Sequence, residues 1–425
     1  MDPASSTNSP ASTPAGAPAD VPDDVAPDDA VTVTGTVAPG FEPVRDAFER
    51  NFAEHGDVGA GFCLYVDGTR VVDLHGGVRE PGGPAYDADT LQLVFSSTKG
   101  VTATCAHLLV QRGLLDLDEP VATYWPEFAQ AGKADLPVRW LLSHQAGMID
   151  IDRPMEETEA LDWDAVTAAL AASPPVWEPG TGYGYHAVTF GWLVGELVRR
   201  ISGQSFGDFV QTEISEPLGL ELWVGLPDRF EHRVAPLLNP TVLDSLDGGA
   251  ASGEERPHVS LVDALDQLLG EGNLLGRTLA APGGAFADDR VWNEARVHAA
   301  QIPAANGITN AASLARMYAA LVSDVDGVRL LEPEVLDVAI APQVEGPGLV
   351  PFLDIPFALG FMTHSATSPL LGGRSFGHYG AGGSLGFADP DRRIAGAYVM
   401  NATQVAIAGD ARTGGLLAAV DQVVN

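Results

Sequence analysis

Lysine is nearly absent from this chain: only Lys99 and Lys133 occur among 425 residues, and the other cations are arginines. Each lysine is therefore conspicuous. Cysteine is almost as scarce, with Cys63 and Cys105 alone and no CxxC pair, which excludes a disulfide framework. Both stand in apolar surroundings and read as small buried hydrophobes. No apolar run approaches the roughly 18 residues that a membrane-spanning helix needs. The N-terminus lacks a basic region followed by an apolar stretch, so no secretory signal is read and a cytoplasmic protein is expected. Positive charge is short overall, with 23 basic against 57 acidic residues and a net charge of −34. Residues 1–44 hold seven acids and no Lys or Arg, so −27 remains on the body of the chain. That balance excludes nucleic acid and anionic membranes as partners. The ten histidines show no HExxH or paired ligand spacing, so no metal is expected. No P-loop and no GxGxxG after a strand occurs, so no nucleotide cofactor is expected either.

What is present reads as an ordinary globular chain, 45% hydrophobic and 19% charged, long enough for one large or two interleaved domains. Residues 1–38 are rich in Pro, Ala, Ser, Thr and Asp, and are expected to form a disordered acidic tail. A helical pattern follows in "FEPVRDAFERNFAEHG", with Phe41, Val44, Phe48 and Phe52 on one face. Two β-rich runs then flank Asp67-Gly68, a strong hairpin signal. Residues 106–299 carry several helical periods separated by Pro/Gly loops, and 226–262 supports no assignment. After Gly307 come the helix "NAASLARMYAALVSD", three strand-like stretches and a helical end, "ARTGGLLAAVDQVV". Sheet elements at both ends with helices between predict an α/β (α+β) domain, built from 39–105 and 300–425. An inserted, mainly helical domain over 106–299 completes it.

The stretch "VFSSTKGVTA" places two serines just ahead of Lys99. A serine hydroxyl is a poor nucleophile until a base takes its proton. Helical positions i and i+3 differ by about 300° and share a face, whereas i and i+2 differ by roughly 200°. Spacing therefore pairs Ser96, not Ser97, with Lys99. The stretch sits where an apolar run gives way to a helix, whose N-terminal N–H groups suit an oxyanion. Burial under apolar helix residues would lower the Lys99 pKa towards that of a base. Further on, "WEPGTGYGYHAVTFGWL" sets Tyr185 after a Pro-Gly turn and just before a helix, where a phenol can shuttle protons. Then "HYGAGG", residues 378–383, offers a Gly-rich edge strand beside which a substrate can lie. Residues 382–386, Gly-Gly-Ser-Leu-Gly, match G-x-S-x-G, but strand follows Ser384 and no histidine lies beyond His378. The elbow of α/β-hydrolases needs a helix there and a later histidine, so this match reads as a decoy. His144 reads as a turn cap before Gly147, and His186 as a local hydrogen-bonding group.

In their order, these three motifs make the chain resemble the serine β-lactamase and penicillin-binding superfamily. Among its class C-like members, the resemblance is closest to the family VIII carboxylesterases, and it runs from about residue 40 to 425. It implies the β-lactamase/transpeptidase-like fold, an antiparallel sheet flanked by helices. By position it implies Ser96 as nucleophile, Lys99 as its base partner and Tyr185 as the tyrosine of the Y-x-N element. It implies an oxyanion hole from the backbone N–H groups of Ser96 and Ala381. His378, Tyr379, Gly380 and Gly382 stand in the place of the K-T-G strand and are expected to bind substrate. The Asn of Y-x-N is replaced by Ala187, and the lysine and threonine of K-T-G by His378 and Tyr379. Those losses turn the expectation from lactams to esters of small, uncharged molecules. The expected enzyme is a serine carboxylesterase with no cofactor and no metal. A β-lactamase or D-amino-acid peptidase on the same fold, or a catalytically silent ligand-binding relative, are the alternatives. Nothing in the sequence sets the oligomeric state, and loops at 148–160 and 226–290 are expected to shape the pocket.

Overall fold

Asp67 and Gly68 turn the chain as their residue types predict. In a computed structural model, which describes residues 31–238 and 260–424, both take positive φ, 49° and 72°. That is the requirement of a tight two-residue hairpin. Strand β2 (Gly59–Val66) there folds back antiparallel on β3 (Thr69–Gly77). Just upstream, helix α1 (Glu42–Glu54) buries Val44, Ala47 and Phe48, and Phe52 meets Phe48 edge-on at 5.3 Å.

Short β4 (Gln92–Leu93), β5 (Leu222–Val224) and β6 (Gly307–Thr309) form a second sheet, in the order β4-β6-β5. It brings three distant parts of the chain together immediately before Ser96. The main sheet has seven antiparallel strands among the described residues, in the order β1-β3-β2-β10-β9-β8-β7. Its later strands are β7 (Met362–Thr363), β8 (Phe376–Tyr379), β9 (Leu385–Asp389) and β10 (Ile394–Met400). Since β10 pairs with β2 on one side and β9 on the other, early and late sequence meet at the sheet centre.

Helix α2 (Thr98–Gln111) is buried continuously from Thr98 to Leu109, so it has no polar face and runs through the core. Helix α5 (Thr189–Ser202) packs on it, and α3 (Val138–Leu142) and α4 (Trp163–Ala172) pack on α5 in turn. Helix α6 (Leu261–Leu269) and α7 (Leu274–Ala280) follow, then α8 (Ala311–Val322) against the sheet and α9 (Ala411–Val424) beside α1. The approach of α2 to α8 depends on Gly100: a Cβ there would stand 2.0 Å from the Tyr318 hydroxyl.

The disorder expected over 1–38 does not hold at Val33–Val37. Residues 1–30 lie outside the described part, but Val33–Val37 forms β1, paired with β3 from Val33↔Gly76 to Val37↔Val72. The run Val-Thr-Val-Thr-Gly-Thr-Val at 31–37 is β-branched, and an open sheet edge captures such a segment. The mainly helical stretch 106–299 contributes β5 to the small sheet, and residues from Val31 onward cluster as one compact unit. Both cysteines are buried and unpaired. Among the described residues no helix is long and apolar enough to cross a membrane.

Candidate active site

The two serines of "VFSSTKGVTA" have different surroundings. A short 3₁₀ turn, Phe95–Ser97, leads into α2. Ser96 is part-exposed at a cavity wall, whereas Ser97 is fully buried. The Ser97 hydroxyl donates to the His378 carbonyl at 3.1 Å and lies 3.1 Å from Ser384 Oγ. Ser384 in turn donates to the Val94 carbonyl at 2.8 Å and is 1% exposed. The G-x-S-x-G match is thus a buried strut behind the serine turn, with no access for a substrate. The turn itself is strained: Phe95 has φ 42°, a conformation that costs a bulky residue free energy unless its surroundings impose it. Those surroundings are present. Thr98 Oγ1 donates to the Phe95 carbonyl at 2.5 Å and accepts the Gly307 N–H at 2.9 Å, and Val94 N–H reaches the Gly307 carbonyl at 2.9 Å.

Lys99 points at Ser96. Its Nζ is 2.8 Å from Ser96 Oγ, 2.6 Å from the Ala187 carbonyl and 3.0 Å from the Ala304 carbonyl. Among the described residues it forms no ion pair, and it is wholly buried, so desolvation pushes its pKa well below the usual lysine value. A neutral amine has two N–H groups and one lone pair. The two carbonyls engage the N–H groups, which leaves the lone pair directed at the serine hydroxyl. Both carbonyls are themselves held: Thr278 Oγ1 accepts the Ala187 N–H at 3.0 Å and donates to the Tyr185 carbonyl at 2.7 Å. The Asn306 side chain folds the 297–306 loop by bonding Ile302 N–H and the Val297 and Ala300 carbonyls. The other lysine, Lys133, is equally buried and donates to the Ala171 and Ser173 carbonyls, but no serine hydroxyl is bonded to it. Scarcity alone would not have separated the two.

Tyr185 lies over Lys99, with the amine 4.8 Å from the ring centroid. Its hydroxyl is buried without a hydrogen-bond partner among the described residues. Burial holds this phenol above its ordinary pKa, and the nearby Ser96 hydroxyl opposes that shift. Three neutral imidazoles surround it. His186 Nδ1 bonds the Gly184 carbonyl at 2.7 Å and Nε2 accepts the Met148 N–H at 2.9 Å. With both nitrogens used and its pKa pushed by burial to about 3, His186 is a packing group. His144 follows α3 with φ 61° and accepts the His186 N–H on Nδ1 at 3.2 Å. His378 stacks on Tyr185 at 6.1 Å; its Nδ1 bonds the Tyr379 carbonyl, which leaves Nε2 as an acceptor with no partner among the described residues.

A cavity of about 320 Å³ opens at Ser96. Phe95, Leu275, Leu279, Phe286 and Trp292 give it an apolar wall, and Ala381 and Gly382 form its floor with Thr403–Ile407. The N–H groups of Ser96 and Ala381 donate to no acceptor among the described residues, and both residues line this cavity. Of the residues expected to bind substrate, Gly382 lines the cavity, whereas His378, Tyr379 and Gly380 do not. Tyr379 is fully buried and its hydroxyl donates to the Pro369 carbonyl, away from Ser96. Gly380 is bonded into the strand turn through the Ser384 carbonyl. His378 is fully buried, stacked against Tyr185, and is not among the residues that line the cavity. Among the described residues no cluster of His, Cys, Asp and Glu is arranged to hold a metal ion.

Comparison with known proteins gives a concordant result. The family profile described as Beta-lactamase matches residues 44–419. The chain belongs to the beta-lactamase family. Esterase/beta-lactamase LipL of Mycobacterium tuberculosis is 34% identical over 375 residues, covering 87% of this chain and 83% of LipL. A penicillin-binding protein homologue from Caulobacter crescentus superimposes with TM-score 0.80 at 37% identity, covering 92% of this chain and 100% of that one. A family VIII carboxylesterase gives TM-score 0.79 at 35% identity, with the same two coverages. In this beta-lactamase-family member, sequence reasoning missed the groups that hold the site: Ala187, Thr278, Ala304 and Asn306. No motif marks them, since two act through backbone carbonyls that any residue type could supply.

Proposed function

We propose that this protein is a carboxylesterase that cleaves esters of small, uncharged molecules through an acyl-enzyme on Ser96. The observation that carries this reading is the buried Lys99 amine, 2.8 Å from Ser96 Oγ and within hydrogen-bond distance of the Ala187 and Ala304 carbonyls. Neutral Lys99 takes the Ser96 proton as Oγ attacks the ester carbonyl. The oxyanion develops between the N–H groups of Ser96 and Ala381. Tyr185, beside both Ser96 and Lys99, passes the proton to the departing alcohol. Water then attacks the acyl carbonyl as its proton passes to the same Lys99–Tyr185 pair; the pair returns that proton to Ser96 Oγ as the ester bond to the serine breaks and the acid leaves. The cavity supports the substrate class: among the described residues no Lys, Arg or His lines it, and Asp289 is the one charged residue of that lining. A substrate carboxylate therefore gains no cation from the described lining, and the K-T-G lysine that would supply one is replaced by the buried His378, whose pKa burial lowers.

Hydrolysis of p-nitrophenyl acetate and butyrate, measured beside nitrocefin, tests the reading. Ester turnover is expected to exceed lactam turnover; the opposite order overturns it in favour of a β-lactamase. Ser96→Ala is expected to abolish ester turnover. Ser97→Ala and Ser384→Ala should lower thermal stability, because each removes a buried hydrogen bond worth about 1 kcal/mol, and still hydrolyse ester. A Ser384→Ala protein that folds but is inactive would restore the elbow serine as nucleophile.

A further inference from the structure

The Gly380–Gly383 turn that carries the Ala381 N–H rests on a buried arginine that the chemistry above does not use. Arg412, near the start of α9, has no exposed surface, and all five of its N–H groups are engaged. Nε and Nη2 donate to Asp410 Oδ2 at 3.1 and 2.6 Å, and Nη1 donates to Asp57 Oδ1 at 3.0 Å and the Ala402 carbonyl at 2.7 Å. The remaining Nη2 proton goes to the Gly382 carbonyl at 2.5 Å. The acceptors are fixed as well. Asp57 also receives the Tyr398 hydroxyl at 2.5 Å, and Asp410 Oδ1 caps α9 by accepting the N–H groups of Arg412 and Thr413. The guanidinium is thus anchored to the loop before β2, the segment after β10 and the head of α9.

On the other side, the turn has no room to shift. Gly382 accepts the Gln404 N–H at 3.0 Å on the carbonyl that Arg412 grips, and its own N–H donates to the Ala406 carbonyl at 2.9 Å. Gly383 has φ 127°, and a Cβ there would stand 2.2 Å from Arg412 Nη2. A planar fork with five donors is rigid in a way that an ammonium is not. Fixing the Gly382 carbonyl restricts rotation of the peptide planes on either side of it, and the Ala381 N–H belongs to the next plane back.

We propose that Arg412 is a positioning residue: braced by Asp57 and Asp410, it holds the Gly382 carbonyl so that the Ala381 N–H stays aimed at the oxyanion. This inference rests on the acyl-enzyme reading above. The test compares wild type with two variants, using p-nitrophenyl butyrate turnover, binding of phenylboronic acid and thermal melting. Arg412→Lys keeps the charge between the carboxylates but has too few donors, and Arg412→Met with Asp410→Asn removes charge and partner together. Deleting an oxyanion donor outright typically costs 10²–10³-fold in kcat, so misaiming one is expected to cost about 10–100-fold. KM should stay within about twofold, and boronate binding should weaken by a similar factor to kcat, because both depend on tetrahedral stabilisation. The acidic limb of the pH profile should not move. A variant that melts cooperatively and keeps wild-type kcat overturns the proposal. Loss of activity only together with loss of cooperative melting also overturns it, in favour of a purely structural arginine. A wild type that hydrolyses no ester overturns the acyl-enzyme reading itself; an active wild type with an active Arg412→Lys sinks only the positioning role.

Discussion

At the scale of single residues, the site depends on burying a lysine without an acid beside it. Had a carboxylate faced Lys99, the charged form would have been favoured and no base would exist at neutral pH. Here desolvation acts alone and the pKa falls well below 10.5. The sign for catalysis follows: the active form is the unprotonated one, so kcat/KM should rise with pH through the depressed Lys99 pKa and level off far short of 10.5. Tyr185, whose pKa burial raises, stays protonated over that range and adds no alkaline fall near neutrality. A pH–rate profile with an uncharged ester checks both points, and an acidic limb centred near 10.5 would contradict the assignment of Lys99 as base. The choice of Ser96 over Ser97 was legible in the sequence, since i,i+3 spacing holds whether the turn is 3₁₀ or α at its start. The reach of His378 and Tyr379 was not. A strand's two faces look alike from the sequence when both are buried, and only the neighbours of β8 decide which side meets the cavity.

At the scale of elements, the cavity is closed by α6 and α7, which contribute Leu261, Val262, Leu265, Leu275 and Leu279. The sequence places these residues among loops over 226–290 that are expected to shape the pocket; they do line it, but from two helices, Leu261–Leu269 and Leu274–Ala280. Leu275, 4% exposed, lines the cavity, so Leu275→Ala enlarges it. The ratio of kcat/KM for p-nitrophenyl octanoate to that for the butyrate is expected to rise several-fold. The variant should lose about 2–3 kcal/mol of stability, at the low end for a core Leu→Ala because one side of the site is already open. An unchanged ratio would place the acyl chain elsewhere. Thr278 on α7 ties this wall to Tyr185 and Ala187, so the element that lines the cavity also holds the Tyr185 backbone.

Across the whole molecule, a net charge of −34 makes self-repulsion the main electrostatic cost of the compact state. Local ion pairs relieve it only where arginines are available. Salt screens the rest: raising NaCl from about 0.02 to 0.5 M shortens the Debye length from about 20 to about 4 Å. Melting temperature is therefore expected to rise over that range, and a fall would mean that surface ion pairs outweigh the repulsion. The same scale explains why early and late sequence had to meet: β2 and β10 are neighbours at the sheet centre, and the buried Asp57–Arg412 pair joins their flanks.

By itself, the sequence determined which groups are candidates for the chemistry and in what order they occur. Rare lysine, helical spacing, a Pro-Gly turn before Tyr185 and a Gly-rich strand are local features, and local backbone geometry is enough to interpret them. The hairpin at Asp67-Gly68 and the amphipathic α1 were legible for the same reason. Tertiary structure alone decided what each group faces: that Ser384 is a strut, that Ala381 and Gly382 line the cavity while His378 does not, and that Val33–Val37 forms the sheet edge. It alone supplied the Ala187 and Ala304 carbonyls and the Arg412 brace, because backbone acceptors and long-range buried contacts leave no periodic trace along the chain.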